Sequence, residues 1–315
     1  MTALWVIFNP KIQKKISKDK KEARSKTLEY LRSSLRSYLA DPNKEILWLD
    51  IGCGNGRSLE VIKDLRSEEK NCVIIHGIDE SEKYLSICER KAKRFKIKKA
   101  RFCKIKVSEL NVNSRYDIVS AVLLLHEVDP LELPISLKNM LKALKENGRL
   151  IIVDFDGPFE RENDTVAWKR EEIEHILDQA GMGKCTETID SDDTSNQLRF
   201  FSMYVHKGKF NDSKYDEFMA EYERFLETKR DRCIENLKEL DSKVMERFGD
   251  ILGLDKTELR SNFNPREINE DLSNKLKEID IDIKISMNIM IILNKNIVFL
   301  DTKIKELRDR RNNKT

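Results

Sequence analysis

The sequence predicts an α/β fold followed by a separate all-α region, and three observations carry that reading. From residue 46 to about 207, short β-branched runs alternate with amphipathic stretches, as βαβ units around a mostly parallel sheet require. Seven such runs are present, enough for one seven-stranded sheet. Beyond about residue 208 glycine nearly vanishes, the β-branched runs stop, and long charged stretches with apolar residues three and four apart take over. The boundary falls at Gly208–Asn211, separating residues 1–208 from a helical hairpin or coiled-coil region over 209–315.

Taken in order, residues 14–40 read as a helix with Leu28, Leu31, Leu35 and Leu39 on one face. The strand candidates are Ile46–Ile51, Cys72–Ile78, Arg101–Ile105, Tyr116–Leu123, Arg149–Phe155, Lys184–Ile189 and Arg199–His206. Helices are expected near 57–68, 81–96, 131–146 and 168–180, with Asn147-Gly148 and Gly181 ending two of them. In the last third, apolar residues recur from Tyr215 through residues 218, 222, 225/226, 234, 237, 240/241, 244 and 248, with polar Asp241 a flaw in the register, and Gly253 and Ser261 to Pro265 break the pattern. A second stretch places Leu272, Leu276, Ile279, Ile283, Ser286, Met290, Leu293, Ile297, Leu300, Ile304 and Leu307 on a heptad seam whose only polar member is Ser286. Further apolar residues outside it, among them Ile285, Ile291, Ile292 and Val298, make a face wider than one partner helix covers. We therefore expect a homo-oligomer through 209–315 as well as a hairpin.

The chain has 315 residues, of which 37% are charged and 39% hydrophobic, a composition for a water-soluble protein. Its most apolar late segment, Ile281 to Leu300, is interrupted by Asp282, Lys284 and Lys295, so no membrane span is expected. The start, MTALWVIFNPKIQKK, lacks the basic-then-apolar order of a secretory signal. Six cysteines form no C-x-x-C pair, which points to a reducing, cytoplasmic setting with neither disulfide framework nor metal site. The net charge of +3 hides a gradient: residues 1–106 carry 26 basic against 14 acidic groups, residues 107–208 carry 11 against 19, and residues 209–315 carry 22 against 23. Two clusters dominate the basic part, eight Lys/Arg between 11 and 26 and ten between 90 and 106.

The segment with the most chemical content is Ile46-Leu47-Trp48-Leu49-Asp50-Ile51-Gly52-Cys53-Gly54-Asn55-Gly56. A buried strand runs into Gly-x-Gly-x-Gly and then a helix, so the backbone can turn tightly and approach a ligand. The spacing is shorter than the dinucleotide G-x-G-x-x-G. The next strand, Val73 to Ile78, ends in Asp79, whose carboxylate can accept both hydroxyls of a ribose.

These residues resemble motif I and the acidic second-strand residue of the class I S-adenosylmethionine-dependent methyltransferases. Tyr116-Asp117-Ile118-Val119 with Leu123-Leu124-Leu125-His126-Glu127-Val128 resembles that family's fourth strand and following loop, and Leu141 to Asp154 resembles its passage into strand five. The resemblance covers roughly residues 28–207. It implies a Rossmann-like sheet and S-adenosyl-L-methionine as cofactor, with Asp50, Gly52, Cys53, Gly54 and Gly56 at its methionine end, Asp79 on the ribose and Glu80 on the adenine side. It also implies adenine contacts at Val107 and Ser108, and contact at Leu123. The family's acid after strand three is missing, or displaced to Glu109, in Lys104-Ile105-Lys106-Val107-Ser108-Glu109. Glu146-Asn147-Gly148 stands where Pro-Gly-Gly is usual.

Methyl transfer from a sulfonium mainly requires alignment, exclusion of water and, for some acceptors, removal of a proton. His126 is the candidate base, since imidazole titrates near neutrality; its alternative role is to cap or pack the loop. Asp154 and Asp156 either face the same cleft or meet solvent. The favoured acceptor is a small molecule at O, N or C. The alternatives are an RNA or anionic carrier held by the basic clusters, or a cofactor-binding assembly protein organised by its coiled coil. The acidic residues 127, 129, 154, 156 and 160 argue against a polyanion over the cleft itself.

Overall fold

A computed structural model describes residues 44–156, 168–183, 185–190, 200–207, 210–252 and 281–312, together with positions 25, 28, 29, 31–33, 35, 36, 38, 39 and 166. The basic cluster at 11–26, the breaks at 253 and 261–265, and the first three seam residues lie outside them.

One seven-stranded sheet is built from β1 (Ile46–Ile51), β2 (Val73–Asp79), β3 (Ala100–Lys104), β4 (Tyr116–Val122), β5 (Leu144–Phe155), β6 (Cys185–Asp190) and β7 (Phe200–His206), in the order β3-β2-β1-β4-β5-β7-β6. β7 runs antiparallel to both its neighbours, so the other six strands point one way. The helices flanking it are α1 (Arg57–Lys63), α2 (Ser67–Cys72), α3 (Glu82–Arg94), α4 (Leu133–Ala143) and α5 (Arg170–Gln179). Because the chain builds outward from β1 to β3 and then restarts at β4 on the other side, the order reverses between β1 and β4. Crevices for ligands open at the carboxyl ends of strands at such a reversal.

Burial explains the strand sequences. β4 is buried at six of its seven positions and β1 at five of six, as central strands covered on both faces must be. β3 is an edge strand, and its exposed Arg101 and Lys104 are the kind of charges that guard an open edge. Much of the basic run at 90–106 thus has a local reason: Lys91, Lys93 and Arg94 lie in the last turn of α3, where cations offset the carbonyl end of the helix. The described residues between 25 and 38 are helical, and Leu31 and Leu35 are buried in the same cluster as Trp48, Ile62 and Val73.

Expectation and structure differ at the start of β5. The helix expected to reach residue 146 ends at Ala143, and Leu144 already pairs with Tyr116. The register then jumps, with Ile118 opposite Arg149, so Glu146-Asn147-Gly148 bulges from the ladder. Gly148 is required there, because a Cβ would lie 2.9 Å from the Tyr116 carbonyl oxygen.

By its internal contacts the chain divides into two compact units, one of residues 18–157 and 165–222, the other of residues 1–17, 158–164 and 223–315. α6 (Asp212–Leu252) begins in the first and continues into the second, which also holds α7 (Ile281–Asn312). Within the second unit Arg230 pairs with Asp301 at 3.2 Å, Arg311 with Glu223 at 3.2 Å, and Arg308 with both Glu223 and Glu227. Early residues of one helix meet late residues of the other, so α6 and α7 form an antiparallel pair within one chain. Among the residues of α7 whose burial is described, Ile292, Leu293, Asn296, Leu300 and Ile304 are buried. Ile297, expected on the seam, is only half-buried, and Asn296 takes the inner position. Among the described residues no helix is long and apolar enough to cross a membrane.

Candidate functional site

The glycines after β1 form a left-handed series, Gly52, Gly54 and Gly56 having φ of 60°, 50° and 78°. Side chains rarely adopt that conformation, so the loop is bare by necessity. The three differ in what surrounds them. A Cβ on Gly52 would lie 2.6 Å from Leu124 Cδ1, and one on Gly56 would lie 2.9 Å from Leu59 Cδ1, whereas one on Gly54 would meet only the Gly52 carbonyl at 3.8 Å. Gly54 therefore presents backbone to open space, a cradle that a ligand can approach. Cys53 is buried, its N–H donates to the Ile78 carbonyl at 3.0 Å, and its sulfur lies 3.8 Å from that of Cys88. The link to Cys88 and burial both push the Cys53 thiol up, which keeps it protonated.

Asp79, at the tip of β2, ties this loop to its neighbour. Its Oδ2 accepts the Gly54 N–H at 2.8 Å and its Oδ1 accepts the Ser81 N–H at 2.8 Å. A carboxylate offers about four lone-pair directions, so the half-buried Asp79 can take two more donors, such as a pair of hydroxyls. Glu80 beside it is exposed.

Asp50 lies beneath the loop. It is 3% exposed and its two oxygens accept the Ser58 and Ser120 hydroxyls at 2.5 and 2.7 Å, while Ser120 accepts the Trp48 indole N–H at 2.8 Å. Burial raises its pKa to about 6, against the opposing effect of the two hydroxyls. Asp50 thus pins the first turn of α1 and β4 under the glycines.

After β3, Val107 and Ser108 sit in a short turn of 3-10 helix, Val107–Glu109. The Asn139 amide of α4 donates to both their carbonyls, at 3.1 and 2.9 Å, and Glu132 accepts from Lys106 Nζ at 2.7 Å and the Ser108 hydroxyl at 3.2 Å. Glu109, the displaced acid of the sequence reading, is exposed.

Across the reversal point, the tip of β4 faces the glycines through Leu124, the side chain that occupies the space over Gly52. Leu123 has φ 54°, a strained value for a leucine, held by its N–H to the Val153 carbonyl at 2.7 Å. The following 3-10 turn, Leu125–Glu127, buries His126 at 4% exposure. Asp154, at the end of β5, meets it: Oδ1 lies 2.6 Å from His126 Nδ1. The same carboxylate accepts the N–H groups of Leu125, His126 and Phe155 at 2.7, 3.3 and 2.8 Å. The Phe155 ring packs edge-on against the imidazole at 4.9 Å. Asp156 instead accepts the Arg170 N–H at the start of α5.

The structure thus gathers Gly52, Cys53, Gly54, Gly56 and Asp79 at one side of the reversal point, with Asp50 below, and Leu123 and His126 at the other. Nothing local in the sequence marks the supporting groups Ser120, Glu132 and Asn139, whose partners lie 24 to 70 residues away, or Ser58, whose partner Asp50 lies across the glycine loop. Four members of the 90–106 run, Lys91, Lys99, Lys104 and Lys106, pair with Glu60, Glu45, Glu82 and Glu132. All four acids lie outside the run, which is why it read as an uninterrupted positive patch.

A family model described as a methyltransferase domain matches residues 42–199, half of the chain. No curated protein matches it in sequence. Among solved structures the chain is similar to magnesium protoporphyrin IX methyltransferase from Synechocystis PCC 6803 with bound SAM, at 21% identity and a TM-score of 0.46 over 60% of this chain and 83% of that one. It is similar to 1,6-didemethyltoxoflavin-N1-methyltransferase from Burkholderia thailandensis, at 18% identity and 0.46 over 58% and 78%. A third is a S-adenosylmethionine-dependent methyltransferase from Clostridium acetobutylicum, at 18% and 0.45 over 57% and 92%.

Proposed function

The chain belongs to the methyltransferase-domain family, and from that premise we propose that it transfers the methyl group of S-adenosyl-L-methionine to an O, N or C nucleophile of a small molecule. The observation that carries the reading is the left-handed glycine loop with its open position at Gly54, tied by the Gly54 N–H to Asp79. When bound, S-adenosyl-L-methionine supplies a methyl carbon on a sulfonium whose sulfur departs with the C–S bonding pair.

The residues divide the work. Gly52, Cys53, Gly54 and Gly56 admit the methionine end, with Asp50 fixing the loop from beneath; Asp79 accepts the ribose hydroxyls. Glu80 and the Val107–Ser108 backbone border the adenine, and Leu123 bounds the methyl-bearing side. His126, buried beside the Asp154 carboxylate and the Phe155 ring, takes the proton that a hydroxyl or amine acceptor loses.

In the same reading the catalytic domain spans 1–208, the enzyme works in the cytoplasm, and 209–315 joins copies of the chain. Light scattering of the full chain should give a dimer or larger, and a monomer would remove that last point. An RNA or anionic-carrier acceptor is less favoured, because carboxylates pair with four of the ten basic residues in the 90–106 run. The deciding assay offers methyl-labelled cofactor with separated metabolite, RNA, protein and lipid pools. Label in a metabolite is expected; label confined to RNA would overturn the acceptor class, and none in any pool would overturn the enzymatic reading.

A further inference from the structure

The face of the sheet turned away from α3 carries a second polar cluster. Side chains along β2 and β3 alternate between the two faces, and Val73 and Ile75 share a core with Leu85, Cys88 and Ala92 of α3. His76 and, opposite it in the ladder, Arg101 therefore lie on the other face, which is open enough to leave Arg101 and Cys103 exposed. His76 is half-buried, with its Nδ1 2.9 Å from the hydroxyl of the buried Tyr116, and the two rings meet edge-on at 5.7 Å. The exposed Arg115 places its guanidinium carbon 5.8 Å from the centre of the Tyr116 ring. Burial, then the charges of Arg115 and Arg101, hold the His76 imidazole below its ordinary pKa, an effect that needs both guanidiniums near the ring. Acids that reach β3 and β4 are taken elsewhere: Glu45 pairs with Lys99, Glu82 with Lys104, and Asp117 with Lys145 and the Leu47 N–H. Among the described residues no acid pairs with Arg101 or Arg115. Protection of an open edge accounts for a cation on β3, but not for Arg115, which precedes a central strand.

We propose that Arg101, His76, Tyr116 and Arg115 form a binding site for a phosphate monoester, with the two guanidiniums supplying the charge and the histidine–tyrosine pair the floor. A guanidinium is a planar fork that donates two parallel N–H bonds to one anion. Two such forks match the two charges and three terminal oxygens of a monoester, whereas a carboxylate or a phosphodiester brings one charge and leaves one arginine unanswered. The site is distinct from the glycine loop: Tyr116 opens β4, and the loop follows the carboxyl end of β1, a strand parallel to β4. It goes beyond the methyltransferase reading and does not depend on it.

The full chain labelled at histidine tests this by nuclear magnetic resonance, with the His76 signal identified by its loss in His76→Gln. Inorganic phosphate, added at mildly alkaline pH and constant ionic strength against sodium chloride, should shift that signal saturably. Arg101→Gln and Arg115→Gln should each weaken the binding roughly tenfold or more, as the loss of a charge-assisted contact does. Their S-adenosylmethionine affinity in calorimetry should stay within about twofold of wild type, because the two sites share no partner. A shift that chloride reproduces, or that neither substitution weakens, reports an ion atmosphere and overturns the proposal; so does no shift at all. A short RNA without terminal phosphates is the second arm. Weaker binding than phosphate is expected, and tighter binding that depends on both arginines would assign the surface to a nucleic-acid backbone and overturn the monoester. If a glutamine variant does not fold, Arg101→Lys or Arg115→Lys, which keeps the charge without the fork, replaces it, with the same loss expected and wild-type binding overturning the proposal.

Discussion

The tips of β2 and β5 carry the same residue type at comparable places in the sheet, and the protein uses them differently. Asp79 accepts two backbone N–H groups and is half-buried, which leaves capacity for two hydroxyls from outside. Asp154 accepts three backbone N–H groups and an imidazole and is 2% exposed, which leaves nothing for a ligand. The number of internal donors, rather than the carboxylate itself, sets whether a strand-end acid faces a ligand or a neighbouring side chain. Asp50, at the tip of β1, is a third case, in which two hydroxyls satisfy the acid but burial still opposes its charge.

The sharpest way to break this contrast is Asp79→Ala. Two charge-assisted hydrogen bonds to a ribose contribute about 1.5–3 kcal/mol each, so S-adenosylmethionine affinity in calorimetry should fall roughly 1,000-fold. Unchanged affinity would mean that the spare capacity of Asp79 serves no ligand.

A smaller effect concerns Asp50. Its folded pKa of about 6 lies above the ordinary 3.8, so between those values the native state holds a proton that the unfolded chain has released. The stability this provides is full below about pH 4 and is lost as pH rises through about 6. Asp50→Asn has no such loss, so its unfolding free energy relative to wild type should rise between pH 4 and 7, by at most about 3 kcal/mol. Denaturant melts of both proteins across that range measure it. A constant difference would show that the hydroxyls of Ser58 and Ser120 fully offset the burial.

The glycine loop was legible in the sequence because its determinants are consecutive: a strand, three glycines at fixed spacing, and an acid at the end of the next strand. The sites that needed the structure are those whose partners come from distant strands. His126 could be singled out by its place after a strand, but not its ring orientation, since Asp154 lies 28 residues on and was equally readable as solvent-facing. The 90–106 run leaves a polyanion surface open as an alternative for the same reason, because Glu45, Glu60 and Glu132 reach it only through the folded sheet. At β5 the expected helix end at Asn147-Gly148 is instead a bulge inside the strand, because the helix stops at Ala143 and Leu144 already pairs with Tyr116.

Most element types, the mostly parallel sheet and the loop follow from local periodicity and from backbone angles that only glycine adopts readily. The tertiary structure alone decided which carboxylates face outward and which are consumed inside. It also decided that the last helix runs antiparallel to the first long one, with Arg230 against Asp301 and Arg308 against Glu223. Hydrogen bonds and ion pairs depend on distances of about 3 Å between atoms far apart along the chain, and no local pattern encodes such a distance.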